Sequence, residues 1–142
     1  MKIAKEFRWE MGHRLPNHEG ECRNIHGHSY KMIVELEGVP NKENGMIIDF
    51  YDLGIIIKPI LEKYDHSFLV MNSDKVVLDF LKKNKMKRVV VDYIATVENI
   101  CDSFLKIFSG KLKSKKFNNI KSVTVKIFET PNSYAEKTLI MK

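Results

Sequence analysis

Alternation with a period of two residues runs through segment 26–36 and most constrains the fold of this chain. The even positions carry His26, His28, Tyr30, Met32, Val34 and Leu36. Successive side chains of a β-strand project to opposite faces, so this pattern predicts a strand with one buried face. Both histidines therefore lie on the same face as the apolar residues.

A second alternating segment, residues 3–11, predicts another strand. Its odd positions carry Ile3, Phe7, Trp9 and Met11, and only Lys5 interrupts the pattern. His13 has the same parity, so a strand that continues through Gly12 places this histidine on the apolar side, at the rim of the core. The two strands are close in sequence, and we expect them to pair as an antiparallel hairpin.

Helical spacing replaces alternation in the middle of the chain. Asp49 is a candidate N-cap for a helix over Phe50–Tyr64. Thr96 is a candidate N-cap for a second long helix that ends at Gly110. The remaining predicted elements are a short helix at 78–81, a short strand at 88–93, and a hairpin of two strands at 122–128 and 134–141.

This order of elements predicts one α+β domain over residues 1–142, with an antiparallel sheet and its helices on one face. Such a sheet has open edges, which a small protein often covers by forming homo-oligomers. The composition, with 44% hydrophobic and 30% charged residues, is typical of a globular protein and favours neither a disordered chain nor a membrane protein.

The sequence also limits the location and the partners of the protein. Its apolar runs are too short for a membrane span, and with two distant cysteines and no visible secretion signal we expect a cytoplasmic protein without a membrane partner. The net charge of +6 fits an anionic small molecule or solubility alone. The basic patch at 111–116 lacks interleaved aromatic residues, so nucleic acid is not an expected partner.

His26 and His28 are candidate metal ligands. Two positions apart on a strand, their Cα atoms lie about 6.6 Å apart and their rings project to one side. Zinc takes imidazole nitrogens at roughly 2.0–2.1 Å, and His13 can supply a third nitrogen, which leaves a fourth coordination position for water or substrate. The alternative is three histidines with ordinary hydrogen-bond partners.

Cys22 distinguishes two kinds of metal site. It lies four residues ahead of His26. As a fourth ligand its thiolate closes a structural centre, whereas beside an open centre it can act as a base. A third interpretation makes it a small buried hydrophobic residue, which we favour for Cys101.

Three further residues are candidates for acid-base chemistry or ligand binding. Asp65 can orient the imidazole of His66 for general acid-base catalysis, although spacing alone favours a histidine that interacts with a helix C-terminus. Glu129 continues the apolar parity of its strand, so its carboxylate needs strong donors. Those donors belong either to a ligand with adjacent N–H groups or to one of the lysines.

Six motifs together resemble one known family and extend over nearly the whole chain. They are HRLP at 13–16, CRNIHGHSY at 22–30, GMIIDF at 45–50, DHSFL at 65–69, ATVENI at 95–100 and ETPNSYAE at 129–136. The combination resembles the 6-pyruvoyl-tetrahydropterin synthase and 6-carboxy-tetrahydropterin synthase family. The resemblance implies a zinc ion on His13, His26 and His28, with Cys22 as the base that abstracts a proton.

The resemblance implies roles for five more residues. Asp65 and His66 match the relay of the cysteine base, and Glu129 matches the anchor for the guanidine-like edge of a pterin. Thr96 and Glu98 match positions that help to hold the pterin. The spacing of four residues between the cysteine and the HGH motif resembles the 6-carboxy enzymes, since the gap is longer in animal 6-pyruvoyl enzymes.

The resemblance also implies the fold, the assembly and the reaction. The fold is a tunnelling fold with a four-stranded antiparallel sheet and two helices on one face, and oligomerisation forms β-barrels in a hexamer of two trimers with active sites between subunits. The reaction converts 7,8-dihydroneopterin triphosphate to 6-carboxy-5,6,7,8-tetrahydropterin and releases triphosphate and acetaldehyde, in queuosine biosynthesis. Alternatives are a 6-pyruvoyl synthase, which stops at triphosphate elimination, and a non-catalytic module with Cys22 as the fourth zinc ligand.

Overall fold

A computed structural model describes residues 1–141 and contains a six-stranded sheet. The strands are β1 (Lys2–His13), β2 (His26–Gly38), β3 (Ser67–Met71), β4 (Arg88–Val91), β5 (Ile120–Thr130) and β6 (Ser133–Ile140), in the order β4-β3-β1-β2-β5-β6. The pairs β1–β2, β2–β5 and β5–β6 are antiparallel, whereas β3 runs parallel to both β1 and β4. Both predicted hairpins, β1–β2 and β5–β6, are therefore confirmed.

The helices are α1 (Phe50–Tyr64), α2 (Lys75–Lys83) and α3 (Val97–Ser114). The two predicted caps are confirmed, because the side chains of Asp49 and Thr96 accept backbone N–H groups in the first turns of α1 and α3. The predicted end of α3 at Gly110 is wrong, because buried Leu112 continues the apolar stripe beyond the glycine. Within residues 1–141, no helix is long and apolar enough to cross a membrane.

The main core lies between one face of the sheet and the helices α1 and α3. Trp9 of β1 stacks on Tyr30 of β2 with ring centroids 5.0 Å apart and an angle of 11° between the rings. The Trp9 ring also packs at 5.6 Å on Phe104 of α3. Stacked aromatic rings with this much buried area fix the β1–β2 hairpin against the helix layer.

The four-stranded antiparallel sheet with two helices that the resemblance implied is corrected, within residues 1–141, to a mixed sheet of six strands with three helices. The additional strands β3 and β4 extend the sheet beyond β1 by parallel pairing. In β3, Leu69 packs in the main core, whereas Val70 packs with Val77 and Leu78 of α2. Neighbouring strand residues face opposite sides, so α2 covers the other face of the sheet. A strand buried on both faces shows no alternation, which explains why the sequence pattern did not reveal β3.

An ion pair joins the end of β1 to the start of α2. The guanidinium of Arg14 donates to both carboxylate oxygens of Asp74, at 2.7 and 2.6 Å, and the Asp74 side chain is buried. Arg14 also lowers the pKa of Asp74. Asp74 is the N-cap of α2, so one carboxylate anchors the helix and the residue that follows His13.

Replacing Asp74 by alanine is expected to destabilise the protein by about 3 kcal/mol, because it leaves a half-buried guanidinium unpaired and removes a helix cap. Urea denaturation of the metal-free protein measures this change. The matched control is Asp79→Ala on the exposed side of α2, which should change stability by less than about 0.5 kcal/mol. Equal stabilities of the two variants would contradict the anchoring role of Asp74.

Candidate active site: a three-histidine centre

Three imidazoles meet where β1 ends and β2 begins. The strand register pairs His13 with His26 and Met11 with His28, so all three histidines lie on the core face. One ligand nitrogen from each ring lies within 4.8 Å of the other two. This group can hold one metal ion, as the alternation of the two strands predicts.

Two backbone carbonyls fix the orientation of the rings. Nδ1 of His13 donates to the carbonyl of Ala95 at 2.7 Å, and Nδ1 of His26 donates to the carbonyl of Asn24 at 2.8 Å. Each ring therefore presents Nε2 as the acceptor, which is how metal-binding histidines are usually oriented. Nε2 of His13 and of His28 are buried without a hydrogen-bond partner among the described residues 1–141. These orphaned nitrogens fit a metal ion.

The environment favours the neutral form of two of the imidazoles, those of His13 and His28. Burial, together with repulsion from His26 and His28, lowers the pKa of His13 to about 4, against the opposing hydrogen bond with Ala95. Burial also lowers the pKa of His28, which the charge of Glu129 partly offsets. A neutral imidazole offers the lone pair that a metal ion needs.

The pKa of His13 makes the metal-free protein sensitive to acid. The unfolded chain binds a proton on this histidine below its ordinary pKa of 6.5, whereas the folded chain does so only near pH 4. The contribution of His13 to stability is therefore fully present above pH 6.5 and is lost as the pH falls from 6.5 towards 4. Between pH 7 and pH 5 this loss lowers the free energy of unfolding by about 2 kcal/mol. Denaturation curves at both pH values test this, and His13→Gln should lose that part of the slope.

The control for this prediction is His18→Gln, because His18 is exposed. It should keep the full dependence of stability on pH. A His13→Gln variant with an unchanged slope would show that His13 is not held neutral by the fold.

Glu129 lies directly beside the three imidazoles. Its Oε1 is 3.5 Å from Nε2 of His13 and 3.7 Å from Nε2 of His28. The pairing of β5 with β6 shifts register between Phe128 and Thr130, so Glu129 is the bulged residue, and bulges often redirect a side chain at a functional site. Burial and then the charge of Glu129 raise the pKa of the neighbouring Tyr30, so its phenol keeps its proton.

Cys22 lies in a short 3-10 helix, Glu21–Arg23, in the connection between β1 and β2. Its carbonyl accepts the N–H of Leu15 at 2.8 Å, and its side chain is half-buried. Among residues 1–141, the ligand atoms that converge for a metal ion come from the three histidines, and the Cys22 thiol is not one of them. This arrangement favours an open centre over a closed site with sulfur as the fourth ligand.

Asp65 and His66 form a pair at the end of α1. Oδ1 of Asp65 accepts the N–H of Glu10 at 2.9 Å, and Oδ2 lies 3.0 Å from Nδ1 of His66. The Glu10 N–H and then the His66 side chain lower the pKa of Asp65. His66 adopts a left-handed backbone conformation, with φ of 54°, and its N–H donates to the carbonyl of Glu10 at 2.7 Å.

His66 lies outside the group of three imidazoles. His66 lines a cavity of about 380 Å³ together with His28 and with Glu10 and Ser29, whose side chains project to the face of the strands opposite to His13 and His28. Glu10 accepts a hydrogen bond from Ser29 at 2.7 Å on this face. Within one chain, the structure brings Glu129 beside the three-histidine centre, whereas His66 is not among the ligand atoms that converge there.

Thr96 and Glu98 occupy the first turn of α3. Thr96 caps the helix and also lines a cavity of about 360 Å³ with Leu15 and Ile94. Ala95, which precedes it, supplies the carbonyl that orients His13. Glu98 is exposed.

Sequence reasoning missed two groups at this site. One is the carbonyl of Ala95, which no side-chain pattern reveals. The other is Tyr30, which the alternation placed on the same face as His26 and His28 but which was assigned to the core and not to the site.

Comparisons with known proteins identify the relatives of this chain. The family model described as 6-pyruvoyl tetrahydropterin synthase matches residues 2–138. The 6-carboxy-5,6,7,8-tetrahydropterin synthase of Haemophilus influenzae is 35% identical, with 95% of this chain and 96% of the relative covered. The enzyme of the same name from Rickettsia bellii is 28% identical, with 96% and 99% covered.

Solved structures show the same fold. The 6-pyruvoyl tetrahydropterin synthase of Plasmodium vivax matches with a TM-score of 0.83 at 19% identity, over 99% of this chain and 98% of that chain. The Caenorhabditis elegans protein of that name matches with a TM-score of 0.66 at 23% identity, over 99% and 94%. The predicted tunnelling fold is thereby confirmed. Because the family model matches nearly the full length of this chain, the chain belongs to the 6-pyruvoyl tetrahydropterin synthase family of pterin synthases.

Proposed function

We propose that this protein is a zinc-dependent 6-carboxy-5,6,7,8-tetrahydropterin synthase. It converts 7,8-dihydroneopterin triphosphate and water to 6-carboxy-5,6,7,8-tetrahydropterin, triphosphate and acetaldehyde, in queuosine biosynthesis in the cytoplasm. The observation that carries the proposal is the group of three imidazoles with orphaned Nε2 atoms beside Glu129. The names of relatives at up to 35% identity favour the 6-carboxy product.

His13, His26 and His28 are the residues that hold the zinc ion in this proposal. The chemistry that zinc supplies when bound is Lewis-acid stabilisation of negative charge on a substrate oxygen. The carbonyls of Ala95 and Asn24 keep two of the imidazoles in the required orientation. Three protein ligands are typical of catalytic rather than structural zinc sites.

Cys22 is the proposed base that removes a proton from a substrate C–H bond. Its half-buried thiol lies outside the group of ligand atoms, which supports a role beside the metal site. His66, oriented by the Asp65 carboxylate, relays protons to and from this thiol. Because His66 is not among the ligand atoms that converge in its own chain, we place this pair in the site of a neighbouring subunit.

Glu129 is the proposed anchor of the pterin ring. A carboxylate pairs well with two adjacent N–H donors, which the guanidine-like edge of a pterin provides. Its position beside His13 and His28 supports simultaneous contact of one substrate with the metal site and the anchor. Thr96 and Glu98 are proposed to complete the pterin pocket from the start of α3.

The assembly is proposed to be a homohexamer of two trimers. The strands β4 and β6 are the edges of the sheet, and pairing between chains would close the sheets into β-barrels. This assembly gives His66 a partner site that it does not reach in its own chain. The net charge of +6, with basic segments at 73–87 and 111–116, would attract the triphosphate.

Incubation with 7,8-dihydroneopterin triphosphate and mass spectrometry of the products tests this function. We expect 6-carboxy-5,6,7,8-tetrahydropterin, acetaldehyde and triphosphate. The second candidate, 6-pyruvoyl-tetrahydropterin synthase, is favoured by the description of the matching family model. Triphosphate release without acetaldehyde would establish that candidate, and an unchanged substrate would refute both.

A further inference from the structure

Tyr30 and Glu129 form a cross-strand pair beside the three imidazoles. In the ladder of β2 and β5, Lys31 pairs with Phe128 and Met32 with Ile127, so the next position places Tyr30 opposite Glu129 on the core face. Side chains at such positions have Cβ atoms about 5 Å apart. Tyr30 is 1% exposed, and its hydroxyl has no hydrogen-bond partner among residues 1–141.

The ring of Tyr30 cannot easily move away from this position. It stacks on Trp9, which packs in turn on Phe104 of α3. The Tyr30 ring also lies 5.5 Å from that of His28, in an edge-to-face arrangement. A buried donor in a fixed position needs an acceptor, and the Glu129 carboxylate is the charged acceptor across the ladder.

The Glu129 carboxylate can also take a second position, as a ligand of the metal ion. Its Oε1 lies 3.5 and 3.7 Å from two of the ligand nitrogens. Ligands of a tetrahedral zinc ion with bonds of 2.0–2.1 Å lie roughly 3.3 Å from one another. A small movement would therefore make this carboxylate the fourth metal ligand and fill the coordination position that a catalytic centre leaves free.

We propose that Tyr30 is a positioning residue whose hydroxyl donates to Glu129 and keeps this carboxylate off the metal, so that the fourth coordination position stays free for substrate. This inference rests on the proposed function, because it requires a metal ion on the three histidines. It assigns Glu129 two alternative positions and makes the Tyr30 hydroxyl the group that selects between them.

The test measures zinc affinity by competition with a chromophoric chelator, and KM by steady-state kinetics. Tyr30→Phe should bind zinc about tenfold more tightly, because the released carboxylate becomes a ligand, and its KM should rise about tenfold. Adding Glu129→Gln to Tyr30→Phe should return the zinc affinity to that of the wild type. The matched control is Tyr93→Phe, which removes another buried hydroxyl without a partner and should change neither quantity.

Unchanged or weaker zinc binding by Tyr30→Phe would overturn the inference. If Tyr30→Phe fails to fold, the zinc affinity of the single variant Glu129→Gln tests the inference. Wild-type zinc affinity supports the inference, since Glu129 is then not a ligand, and weaker binding overturns it. If the wild type binds zinc and forms the 6-carboxy pterin, these failures refute only the role of Tyr30. A wild type that binds no zinc refutes the proposed function as well.

Discussion

Replacing Cys22 by alanine is expected to lower kcat by about a thousandfold while the protein keeps its zinc. The loss follows from removing the proposed base, because general acid-base groups typically contribute 10²- to 10⁴-fold. Zinc is retained because the ligand atoms that converge come from the three histidines and not from this thiol. Steady-state kinetics and metal analysis of the same preparation measure both quantities.

Cys101→Ala is the matched control for this experiment. The Cys101 thiol is buried in α3 and donates to the carbonyl of Val125, and burial raises its pKa to about 11, so it stays protonated. This variant should lose some stability and keep its kcat. Loss of zinc from Cys22→Ala would instead favour the non-catalytic module with sulfur as the fourth ligand.

Two inactive variants are expected to restore activity when they are assembled together. His66→Ala and Cys22→Ala each lack one group of the proposed site, and His66 is not among the ligand atoms that converge in its own chain. If each site combines Cys22 of one chain with His66 of another, about a quarter of the sites in a random mixture are intact. Coexpression with two affinity tags, followed by a rate measurement on the doubly tagged fraction, tests this.

The control for the mixture is a chain that carries both substitutions, coexpressed with the wild type. Its doubly tagged fraction should also keep intact sites, since wild-type chains can pair with one another. No recovery in the mixture of single variants would show that Cys22 and His66 act within the same chain. A His66→Ala variant that is active by itself would show that His66 does not act.

Alternation in β1 and β2 predicted most of the three-histidine centre. Because His13, His26 and His28 share the parity of Trp9 and Met32, their common face follows from strand geometry, and the structure shows their nitrogens within 4.8 Å. The same reasoning placed Glu129 on the core side of β5. The two-residue period of a strand is enough to predict their common face, because all four residues lie on paired neighbouring strands.

Other features depend on contacts that no local rule contains. The strand β3 is buried on both faces and carries no alternation, so neither its parallel pairing nor the packing of α2 could be predicted. The orientation of His13 depends on the carbonyl of Ala95, 82 residues further along the chain. The position of His66 relative to the three-histidine centre follows from the route of the chain after α1.

Zinc K-edge X-ray absorption of the purified protein tests most directly whether the three imidazoles form an open metal centre beside a free thiol. We predict a first shell of nitrogen and oxygen at roughly 2.0–2.1 Å, with the scattering pattern of three imidazoles. A sulfur neighbour at about 2.3 Å would contradict this, because it would make Cys22 a ligand and close the centre to substrate.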